Sequence, residues 1–208
     1  MGVYIELESH LPDTIFSNFA KVKYEGPKST NPLSYQFYDA DRVVFAKPLK
    51  EHLRFAVAYW HSFAMTASDP FGSATINRPW MVPGDPIALA KVKADAAFDF
   101  FRVLDVPFFC FHDADIAPAE DTLSGCLRNL HIIGDFLEEK ISQSETKLLW
   151  GTANLFSHPR FMAGHRPIQT RKSSPGAPPR LKTAWMLPSS LEEQTMSCGV
   201  AAKVTKLC

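Results

Sequence analysis

The stretch FFCFHDADIAP, Phe108 to Pro118, sets an imidazole and two carboxylates directly after an apolar run. A histidine is the side chain best suited to moving a proton near neutral pH. A carboxylate on its second ring nitrogen fixes the tautomer and favours the protonated form. His112 with Asp115 is therefore a candidate proton-transfer pair. The competing reading is a strand that ends in turn and cap residues. A hydrolase built on His112 and Asp113 is a weaker alternative, because no GxSxG nucleophile motif accompanies them.

These residues need elements to hold them. RFAVAYWHSF (Arg54–Phe63) is apolar, aromatic and bounded by turn residues, which predicts a buried strand. ASDPFGSATINRPW (Ala67–Trp80) reads as a long loop. Asp85 suits an N-cap and Pro86 the first helical position. Ile87, Ala90, Ala94, Ala97, Phe98, Phe101 and Leu104 then recur at helical spacing, with Lys91, Lys93, Asp95 and Asp99 mostly off that face. Val106–His112 is a second buried strand. A second helix starts near Asp121, with Leu123, Leu127, Leu130, Ile133, Leu137 and Ile141 on one face, and Lys147–Asn154 is a third strand. Strand, helix, strand, helix, strand predicts parallel strands with right-handed crossovers. No Gly-rich turn follows a strand, so a dinucleotide fold lacks its fingerprint. A (β/α)8 barrel fits better, and its chemistry sits where strands end. His112, Asp113, Asp115, Asn154 and Phe156 all fall there.

Bulk composition narrows the partners. The 208 residues carry 22 basic and 22 acidic side chains, so nothing draws the chain to nucleic acid or to an anionic membrane. No apolar run approaches the ~20 residues of a membrane span. Cys110, Cys126, Cys198 and Cys208 form no CxxC, and a reducing, cytoplasmic setting is expected. Cys110 reads as a buried thiol. His61, His131 and His158 read as structural or exposed.

The motifs YWHSF, DPFG, NRPW, FHDAD and WGTANLFSHPRF occur in one order between about Lys21 and Gly164. In that order they resemble the longer-chain class of the xylose isomerase family. The resemblance implies the first part of a (β/α)8 barrel, about three of eight strands, after an irregular arm over residues 1–50. It implies a homotetramer that interconverts D-xylose and D-xylulose with two divalent cations: magnesium, manganese or cobalt. It makes His112 the ring-opening histidine and Asp115 the aspartate that holds it. Trp60 and Phe156 become walls of the sugar pocket, with Asn154 beside them. Phe71 becomes an aromatic that enters a neighbouring subunit's pocket. The family's metal ligands and carbonyl-polarising lysine come from later strands, so no metal ligand is expected in this chain and it is expected to be inactive alone. The alternative is a non-catalytic fragment that associates with full-length subunits.

From His165 the pattern stops. The segment 165–208 holds five prolines and two acids, which taken alone predicts a disordered basic tail. Codons can be chosen for Leu191–Cys208 so that the neighbouring frame reads close to GGANYVLWGGREGYETL, and from Pro167 so that it reads NPDPEVF. Both resemble the next family segments. The expectation is an out-of-frame tail.

Overall fold

The computed structural model describes residues 15–68 and 71–154. The arm contributes a short hairpin, β1 (Val43–Val44) with β2 (Lys47–Pro48), and a single helical turn, α1 (Leu49–His52). After it come β3 (Ala56–Ala58), α2 (Pro86–Leu104), β4 (Phe108–His112), α3 (Asp113–Ile116), α4 (Leu123–Ser142) and β5 (Lys147–Thr152). The three longer-range strands pair in the order β3-β4-β5, and both pairings are parallel. Parallel neighbours need crossovers of a dozen residues or more, which α2 and α4 supply.

Each helix begins where its cap dictates. Asp85 accepts from the backbone N–H of Ala88 at 2.9 Å, and Pro86 occupies the first turn, where no donor is needed. Thr122 accepts from Gly125 N–H at 3.1 Å to start α4. At the other end of α2, Asp105 adopts a left-handed conformation at φ 54° and stops the helix.

Side chains of β4 alternate between two faces. Phe109 and Phe111, with Leu148 of β5, pack on Ala94, Ala97, Phe98 and Phe101 of α2 and on Leu130, Ile133 and Leu137 of α4. The alanines let α2 approach the sheet closely, and Phe101 stacks on Phe109 with ring centroids 5.1 Å apart. Burying each such ring contributes about 2–3 kcal/mol. Cys110 and His112 alternate to the opposite face, and Trp150, paired with Cys110, shares it.

The expected strand Arg54–Phe63 is shorter than its apolar run. Only Ala56–Ala58 is extended; Tyr59 turns helical at φ −60°, ψ −39°, and Trp60–Ala64 form one π-helical turn. Packing explains the change. Tyr59 and Phe63 are both buried with ring centroids 5.0 Å apart; a continued strand would hold them roughly 13 Å apart. Trp80 locks the turn by donating Nε1–H to the Phe63 carbonyl at 2.9 Å.

The arm satisfies the carbonyls left open at the end of α2. Val22 N–H donates to Val103 O at 2.7 Å and the Tyr35 hydroxyl to Leu104 O at 2.6 Å. Lys21 pairs with Asp105 at 2.7 Å. Among the described residues, no helix is long and apolar enough to cross a membrane.

Candidate active site

The C-terminal ends of β3, β4 and β5 lie side by side, and the predicted residues gather there. His112 is the last residue of β4, with Thr152 of β5 as its register partner. The chain then enters α3, a single turn. Asp115, its third residue, folds back so that one carboxylate oxygen, Oδ2, accepts twice from His112: from the backbone N–H at 2.7 Å and from Nδ1 at 3.0 Å. A carboxylate offers only acceptor sites, so this geometry assigns the Nδ1 proton to the histidine. The imidazole is thereby fixed in tautomer and in orientation. The same contact caps α3, so the orientation of the imidazole and the local structure are one feature.

Asp113 ties the end of β4 to the end of β5. Its Oδ1 accepts from Ala114 N–H at 2.7 Å and from Asn154 N–H at 2.8 Å. Asp113, Asp115 and Asn154 are all buried. Asp113 thus has a structural task.

Aromatic rings enclose the imidazole. Trp60, placed by the π-helical turn, lies 4.8 Å from His112 between ring centroids, and Trp150 of β5 lies 5.9 Å away. The two indoles are 5.4 Å apart. Beneath them, burial pushes the Cys110 thiol up to about 11, with the Asp115 charge adding to it. Cys110 is therefore no nucleophile near neutral pH.

Two further groups stand behind the pair. Lys93 of α2 donates from Nζ to the backbone carbonyl of Asp115. Its Nζ also lies 5.9 Å from the centroid of the buried Tyr59 ring. Burial lowers Lys93 to about 8, against the pull of the Asp115 charge. Burial likewise raises Tyr59 far above its ordinary range, and its hydroxyl has no hydrogen-bond partner among the described residues.

The structure therefore brings together His112, Asp115, Trp60 and Asn154. Phe71 is 97% exposed on its loop. Phe156, His158, Cys198, Cys208 and the whole tail from His165 lie outside the described residues. His61 and His131 are exposed, and Cys110 is buried, as expected. Trp150 and Lys93 were missed. Trp150 sits within an apolar strand and reads as core; Lys93 reads as a solvated charge on a helix.

Among the described residues, no three His, Cys, Asp or Glu side chains gather as metal ligands. A separate cleft of about 570 Å³ lies where β4 and β5 begin, and two ion pairs line it, Lys140 with Asp95 at 2.5 Å and Lys21 with Asp105.

No protein-family model matches the chain. Individual proteins do. A xylose isomerase of Caldanaerobacter subterraneus subsp. yonseiensis is 56% identical over 149 residues, which cover 72% of this chain and 34% of that protein. The xylose isomerase of Thermoanaerobacter sp. (strain X514) is 54% identical over the same length, and that of Mesorhizobium japonicum is 55% identical over 152 residues. The chain spans about a third of the length of the curated relatives it matches.

Proposed function

Starting from a chain homologous to xylose isomerases over 72% of its own length, we propose that it carries the ring-opening part of an aldose-ketose isomerase site. The reading is D-xylose to D-xylulose interconversion by the family, of which this chain supplies the first step. His112 is the proton-transfer residue and Asp115 its partner. Opening a pyranose moves a proton from the anomeric hydroxyl and returns one to the ring oxygen. With Nδ1 held by Asp115, Nε2 is the atom that makes those transfers. Trp60 and Trp150 form apolar walls for the C–H faces of the sugar, with Asn154 and Phe156 completing the pocket. Phe71 serves the pocket of a neighbouring subunit in a homotetramer. The observation that carries the reading is the His112 Nδ1 to Asp115 Oδ2 contact at 3.0 Å beneath two indoles.

The fold reading is a (β/α)8 barrel of which β3, β4 and β5 are the first three strands. The family implies two divalent cations, which would supply Lewis-acid chemistry for the hydride shift. The described residues do not fit those cations, since no ligand cluster is present among them. The domain reading keeps an arm over 1–50, a partial barrel over 51–164 and an out-of-frame tail over 165–208, in a cytoplasmic protein.

D-xylose titrated into the 15N-labelled chain tests the site. The indole N–H signals of Trp60 and Trp150 should move together and that of Trp80 should not. Shifts absent at every sugar concentration, or confined to other residues, would reject the pocket.

A second reading is favoured by exposed aromatics. Phe37, Phe45 and Phe71 are 81%, 92% and 97% exposed, and β3 and β5 are the edge strands of the sheet among the described residues. In this reading the chain associates with full-length isomerase subunits without catalysing. Co-elution with the Caldanaerobacter enzyme supports it; separate elution at micromolar concentration rejects it.

A further inference from the structure

We propose that Lys93 is a positioning residue for the His112–Asp115 pair: from α2 its ammonium holds the Asp115 carbonyl and so fixes the turn that carries the Asp115 carboxylate to His112. The inference rests on the ring-opening reading of that pair.

The turn needs outside support. α3 has four residues, Asp113–Ile116, and closes through the bond from Ala117 N–H to Asp113 O at 3.1 Å. One turn of helix does not persist alone, because nucleation fixes several dihedrals for one hydrogen bond. Its neighbours pin it at three places. Asp113 is clasped to Asn154 on β5, Ile116 is buried in the core, and the Asp115 carbonyl accepts from Lys93. Of these, the Lys93 bond sits on the residue whose carboxylate orients the histidine. A rotation of that peptide moves Oδ2 away from both His112 donors.

Chemistry also argues that stability is not why a lysine occupies this place. Its Nζ lies against the Tyr59 ring at 5.9 Å, in surroundings that favour its neutral form. An apolar side chain of the same length fills that volume without a charge to desolvate. What it cannot do is donate to the Asp115 carbonyl. Arginine can.

The test uses the 208-residue chain with Lys93→Met and Lys93→Arg, read by the downfield proton signal of the His112 imidazole Nδ1–H and by thermal melting. His112→Gln assigns the signal. Lys93→Met is expected to fold with a midpoint equal to or above that of the parent and to lose the protected Nδ1–H. Lys93→Arg is expected to keep it. A Met variant that retains the signal, or that melts well below the parent, overturns the proposal, as does an Arg variant as impaired as Met. Absence of the signal in the parent chain instead rejects the His112–Asp115 pair itself.

Discussion

The charge on Lys93 ties stability to pH in a direction opposite to that of a paired surface lysine. The fold holds Lys93 at about 8 against an ordinary value of 10.5. At about 1.4 kcal/mol per tenfold change in proton affinity, carrying that charge costs the folded chain up to about 3 kcal/mol at neutral pH. The side chain keeps some solvent contact, which screens the charge and makes this an upper figure. Between the two values the unfolded chain binds more protons than the folded one, so stability rises as pH rises. Below that window both states are charged and the full cost is present. Urea titrations of the parent and of Lys93→Met at about pH 7 and about pH 9.5 isolate the term. The groups facing Lys93, Asp115 from α3 and Tyr59 from the end of β3, are common to both proteins and cancel in the difference. Relative to the Met variant, the parent should gain about 2 kcal/mol across that interval. A difference that stays flat, or that falls as pH rises, refutes the burial argument.

Other substitutions probe separate links. Tyr59→Phe removes a buried hydroxyl with no partner among the described residues, so stability by urea titration should stay level or rise by about 1 kcal/mol, whereas a loss of about 2 kcal/mol would reveal a partner. Phe101→Ala removes a ring stacked on Phe109 and should cost about 3–5 kcal/mol by the same measurement. Asp85→Ala deletes the α2 cap and should cost about 1 kcal/mol without altering the Trp60 and Trp150 indole signals. Asp115→Asn keeps an acceptor for the His112 backbone N–H but removes the charge beside Nδ1. It should preserve the fold by circular dichroism while slowing His112-dependent sugar ring opening on the order of tenfold or more.

Local rules made much of the fold legible. Asp85, Pro86 and the apolar spacing through Phe101 marked α2 at both ends, because caps and periodicity act within one turn. The continuous apolar runs at β4 and β5 marked strands. The run YWHSF did not reveal its π-helical turn, because it contains no Gly or Pro and its bend is imposed by the packing of Tyr59 on Phe63. The pair His112 and Asp115 was legible because they stand three positions apart, and a tight turn after a strand brings such neighbours together. Trp150 and Lys93 were not legible. Their roles depend on register across the sheet and on a helix–turn contact, neither of which leaves a local mark. The Asp113 clasp on Asn154 spans 41 residues and is invisible for the same reason.

The central claim is that His112 and Asp115 form a sugar ring-opening pair. The most direct measurement follows 13C1-labelled D-xylose by NMR with the purified chain and magnesium, recording exchange between the two anomers and the appearance of D-xylulose. The account predicts faster anomer exchange, lost in His112→Gln, with no D-xylulose formed. Exchange no faster than in buffer, or unchanged in His112→Gln, would contradict the assignment of the pair, and accumulation of D-xylulose would contradict the expectation that the chain alone does not isomerise.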